Sequence, residues 1–172
     1  MGSIRRTKVV IFFSTLLAIS VVGADPAPSC LRHLTTTRSV TLSAYDTSHD
    51  KRGSNSISCN FNLTASEVAD DLRAILDAST KNDCESLISI SNDPLSIQFQ
   101  DGRTDKLSRN EICRQQTRIR RFLCSHRGSI SIDQLDLLGW RGAFLGSDEI
   151  LINTVNDGSA RPHLKIVAIG PI

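Results

Sequence analysis

Aromatic residues are scarce in this chain: one Trp, one Tyr and six Phe among 172 residues. That is too few for the stacking surface that single-stranded nucleic acid calls for. A charge imbalance is lacking too. Arg5, Arg6 and Lys8 lie in an N-terminal stretch with no acidic residue, and beyond it 17 Lys and Arg face 18 Asp and Glu. A near-neutral chain exerts no general pull on nucleic acid or on an anionic membrane. No CxxC pair or close Cys/His cluster occurs, so no metal is expected, and no other cofactor is implied. There is no GxSxG segment to mark a serine nucleophile, no internal repeat and no low-complexity tract. The longest apolar run, residues 9–22, is shorter than the roughly 20 residues a bilayer span needs.

That run follows a basic start and precedes the small residues Val22-Gly23-Ala24. The pattern reads as an export signal over residues 1–24, with a membrane anchor as the rival reading. Cleavage leaves 148 residues, one ordinary domain in length, secreted or periplasmic and with no further membrane contact. Cys30, Cys59, Cys84, Cys113 and Cys124 all lie beyond the signal, in a setting where disulfides persist. An odd count leaves at least one thiol unpaired. Cys113 and Cys124, expected on one helix about 16 Å apart, cannot reach each other. The connectivity is otherwise open.

In the last third, the β-branched runs 149–155 and 164–169 flank the turn formers Asn156, Asp157, Gly158, Ser159 and Pro162, the pattern of adjacent antiparallel strands. A third run, 135–145, is interrupted by Gly139 and Gly142 around Trp140, which predicts a bulge or bend and a curling sheet. Earlier, strands are expected over 39–45 and 56–63, the latter because Ile57, Cys59, Phe61 and Leu63 alternate with polar residues. Residues 46–55 read as an exposed loop. Thr64-Ala65-Ser66-Glu67 has the form of a capping box opening a helix to about Ser79, whose outward face holds Asp70, Asp71 and Arg73. A short helix over 83–90 precedes a strand at Leu95, Ile97 and Phe99, and Asp101-Gly102 turns it back. Ser108 and Glu111 repeat the capping-box form and open a single long helix, 109–125. The Asn62-Leu63-Thr64 sequon overlaps a cap, and the capping role is the weightier one.

This order, with PLSIQFQDGR at 94–103, GAFLGSDEILIN at 142–153 and the closing LKIVAIGP at 164–171, resembles small exported members of the NTF2-like (SnoaL-like) superfamily. The resemblance covers about residues 64–172. It implies an α+β fold in which a curled antiparallel sheet wraps two to three helices into a cone. The mouth of the cone serves as an enzyme site in some members and for binding or dimerisation in others. Residues 25–63 lie outside it and are expected to form a short N-terminal β addition. No acid/base pair of the enzymatic members can be carried over onto this sequence.

Candidate functional residues are therefore few. Trp140 and Arg141, between two glycines, could meet a ligand or a partner backbone, although a lone Trp is more often a core or rim anchor. Arg114, Arg118 and Arg121 share one helix face, reinforced by Arg120 and Arg127. Such a stripe binds phosphate or carboxylate groups on a partner, or is simply the solvated face. His126 should satisfy carbonyls at a helix end rather than catalyse. The function expected is an exported non-catalytic binding protein whose ligand is an unknown small molecule or protein, and nucleic acid is not expected. The alternative is a small NTF2-like enzyme acting on an apolar or cyclic compound in the cone. Both faces of the terminal strands are apolar, so a second cover is expected. It is either a homodimer partner or the 39–63 segment folded back.

Overall fold

The computed structural model describes residues 29–50, 56–146, 149–156 and 158–172; the expected export signal lies outside them. Five helices come first: α1 Ser29–Thr37, α2 Ala44–His49, α3 Ile57–Phe61, α4 Ala65–Thr80 and α5 Cys84–Ile90. The hairpin β1 Ser91–Gln98 and β2 Thr104–Leu107 follows, then α6 Arg109–Arg114 and α7 Gln116–Ser125. The chain ends in β3 Leu135–Leu137, β4 Ala143–Leu145, β5 Ile150–Val155 and β6 His163–Ile169. The class is α+β, as expected. The strands form one six-stranded sheet in the order β2-β1-β6-β5-β4-β3. It is mixed rather than antiparallel, because β1 runs parallel to β6. A parallel pair needs a long crossover, and the helices and meander between these strands supply it.

The helix starts follow the sequence chemistry. The Thr64 hydroxyl accepts from the Glu67 amide at 3.2 Å, and the Glu67 carboxylate accepts from the Thr64 amide at 2.8 Å. At α6, Glu111 accepts from the Ser108 amide at 2.8 Å. The helix expected over 109–125 is broken at Gln115 into α6 and α7. Cys113 thereby faces Cys84 and is bonded to it, while Cys30 is bonded to Cys59. Cys124 is a free, exposed thiol, its Sγ 3.7 Å from the Ser79 carbonyl oxygen.

The N-terminal β addition is not found: the strands expected over 39–45 and 56–63 give way to α2 and α3. Ile57 and Phe61 lie four residues apart and so share a helix face as readily as a strand face, and both are buried. Local capping decides the matter. The Ser56 hydroxyl accepts from the Cys59 amide, Asn62 closes α3 in a left-handed conformation at φ 54°, and a Ser43–Asp46 capping box opens α2. Part of the expected exposed loop is buried as well. Asp46 accepts from the amide and hydroxyl of Ser66 at the start of α4, at 2.8 and 2.7 Å. Asp50 accepts from the Ser58 amide at 2.7 Å.

One hydrophobic core joins these parts. Ile57, Phe61 and Leu63 meet Val68, Leu72 and Ile75 of α4, Leu87 of α5 and Ile119 and Leu123 of α7 on one face of the sheet. The sheet contributes Leu95, Ile97, Leu145, Ile150, Ile152, Leu164, Ile166 and Ile169. Phe144, Leu151, Val155, Val167 and Ala168 are half-buried and stand outside this core. A register shift between Leu151 and Ile152 leaves one extra residue in β6, a bulge that keeps Leu164, Ile166 and Ile169 on the inner side.

Candidate functional site

Between β3 and β4 the chain makes a 3-10 turn, Gly139–Arg141, at the end of a short hairpin. The Leu138 amide donates to the Gly142 carbonyl at 2.9 Å and the Gly142 amide to the Gly139 carbonyl at 3.0 Å, closing the turn on itself. Gly142 has φ +103°, and a Cβ there would stand 2.1 Å from the Ile152 carbonyl oxygen. Only glycine lets the turn lie this close to β5. Helix α3 lies against the turn. Trp140 is 86 % exposed on this support, which corrects the expectation of a core or rim anchor. Its ring was free to leave the core because the two glycines turn the backbone outward before β4 begins. Arg141 beside it is exposed too.

The arginine stripe is real but divided. Arg114, Arg118 and Arg121 line an open hollow of about 420 Å³ with Gln115 and Thr117, and Trp140 and Arg141 are not part of it. Arg118 is partly committed: it donates to the Ile172 carbonyl at 2.9 Å, and its guanidinium stands 4.8 Å from the centre of the Phe99 ring. Arg120, expected to reinforce the stripe, turns instead to Asn82, Gln116 and the Asp83 carbonyl.

Two further clusters tie distant elements together. Asp71 is buried, not on the outward face of α4, and its carboxylate ties that helix to β6. It accepts from Arg161 Nη2 and Nη1 at 2.8 and 3.1 Å and from the Leu164 amide at 2.8 Å, with His163 Nδ1 at 3.4 Å. These contacts fill the roughly four acceptor positions of a carboxylate, so Asp71 is a tie rather than a base. Helical spacing contained the signal, since position 71 falls three after Val68 and four before Ile75. The second cluster joins α7 to β5. His126 Nε2 lies 2.5 Å from Glu149 Oε2, while Nδ1 lies 2.8 Å from the Phe122 carbonyl oxygen. His126 thus closes the helix end as expected and also reaches a partner far away in sequence.

Glu149 borders a groove of about 240 Å³ on the outer side of the sheet, floored by Phe144, Leu151 and Ala168 and edged by Ser96, Gln98 and Thr104. Among the described residues no group of His, Cys, Asp and Glu is arranged to hold a metal ion. No helix among them is long and apolar enough to cross a membrane. The two disulfides are those of a chain that folds in an oxidising, extracellular or periplasmic setting. No family model, curated protein or solved structure matches the chain.

Proposed function

We propose that this is an exported, non-catalytic binding protein that holds another extracytoplasmic protein by the tip that carries Trp140 and Arg141. The observation that carries the proposal is a tryptophan 86 % exposed on a turn braced by its own hydrogen bonds and by α3. Trp and Arg dominate the energetics of protein interfaces. A rigid turn presents them without the entropy cost of ordering a loop. The enzyme alternative needs room for a substrate beneath the sheet. What supports the binding reading instead is that Ile75, Leu87, Ile97, Ile119 and Leu145 occupy that space.

We further propose that the fold is NTF2-like. In support, α4 and α5 lead into the β1–β2 hairpin, a capped helix follows, and a meander returns its last strand beside β1.

A photoreactive benzoylphenylalanine placed at position 140 keeps an aromatic ring there and reports what touches it. Irradiation in the exporting cell's extracytoplasmic compartment should give a discrete adduct that added wild-type protein suppresses and Trp140→Ala protein does not. The same probe at exposed Lys81 should give none. No adduct at 140, or the same adducts at both positions, would overturn the proposal.

A further inference from the structure

We propose that the outer face of the sheet is the interface of a homodimer, two sheets packing face to face about a two-fold axis that runs along the strands. The register defines one row of residues across all six strands on that face: Asp136, Phe144, Leu151, Ala168, Ser96 and Lys106. Their chain neighbours Leu95, Ile97, Leu145, Ile150 and Ile169 are buried on the opposite face.

The row is self-complementary. Rotation about an axis between Leu151 and Ala168 lays the row over its own reverse. Asp136 at one end then meets Lys106 of the partner subunit, and this happens twice. Phe144 comes to lie over Ser96, and Leu151 over Ala168. Each large side chain thus faces a small one, which lets two sheets close to the usual spacing of about 10 Å. Asp136 and Lys106 are both exposed and have no ion-pair partner among the described residues. An isologous contact of this kind is how most soluble homodimers form.

Among the described residues no other segment covers the row. Ile57, Phe61 and Leu63 belong to the inner core with Ile150 and Ile152, so α3 lies beneath the sheet, and α1 and α2 pack on α3 and α4. The segment expected to fold back is therefore on the wrong side. Within the domain, residues 51–55, 147–148 and 157 lie outside the described set, each too short to cover a face about 24 Å wide at six-strand spacing.

Light scattering and sedimentation of the purified, disulfide-bonded protein at micromolar concentration should give twice the chain mass. Lys106→Glu and Asp136→Lys should each weaken the dimer at least about tenfold, because each sets two like-charged pairs across the interface. The double swap should restore it. Both residues are exposed, so far-ultraviolet circular dichroism should be unchanged in every variant. A monomeric mass at all attainable concentrations overturns the proposal. So does a dimer indifferent to the single swaps, which would place the interface elsewhere.

Discussion

Single side chains carry the cross-links that hold the N-terminal helices, and Asp46 shows how. Burial pushes its carboxyl up, but the hydrogen bonds from Ser43 and Ser66 outweigh that and hold it down at about 2, against an ordinary 3.8. As pH falls, the unfolded chain therefore takes up the proton first. The contribution of Asp46, about 2 kcal/mol, is complete above the ordinary value and disappears as pH falls toward 2. In urea unfolding, Asp46→Asn should lower stability by a constant amount above about pH 5 and converge on wild type between about pH 4 and 2. A difference independent of pH down to 2 would show that the carboxylate is not what Ser66 needs. The sequence held part of this arrangement. Ser43 and Asp46 have the spacing of a helix cap, but that Asp46 also caps α4 from a distance is a tertiary fact that no local pattern encodes. Asp71 differs: it falls within the Val68, Leu72 and Ile75 stripe, yet its carboxylate points to solvent on sequence grounds, because a buried carboxylate needs a partner. Its partners, Arg161 and His163, lie ninety or more positions away.

At the level of elements, the parts with strong local chemistry were legible in the sequence. The capping box of α4, the short α5, the Asp101-Gly102 turn and the terminal strands all appear where their residues point. The failure came where two periods coincide: Ile57 and Phe61 fit a strand and a helix alike, and the Ser56 cap settled it. A short helix of this kind has little stability alone, so the Cys30–Cys59 disulfide, closing 29 residues between α1 and α3, should matter greatly. Replacing both cysteines by serine should cost about 3–4 kcal/mol by the loop-closure relation. The measure is the urea midpoint, which should fall, while the slope rises somewhat because the unlinked denatured chain exposes more surface. An unchanged midpoint would mean that Leu31 and Leu34, fully buried in α1, hold the segment without the bond.

For the whole molecule, the division of labour runs between two faces of one sheet and the turn at its end. The inner face is consumed by the core, the outer face carries the half-buried Phe144, Leu151 and Ala168, and the β3–β4 turn leaves the chain's sole tryptophan in water. Neither the parallel pairing of β1 with β6 nor the position of Trp140 could be read from local sequence. Both depend on how distant segments close on each other, and glycines beside an aromatic ring allow an inward or an outward turn equally. Because Trp140 has no tryptophan neighbour to obscure it, its fluorescence tests the account most directly. The isolated protein should emit as a water-exposed indole and be quenched by acrylamide nearly as well as the unfolded chain. Addition of the partner captured at position 140 should shift the emission to the blue and remove most of the quenching. A blue-shifted, protected tryptophan in the isolated protein, or an emission that the partner leaves unchanged, would contradict recognition through this turn.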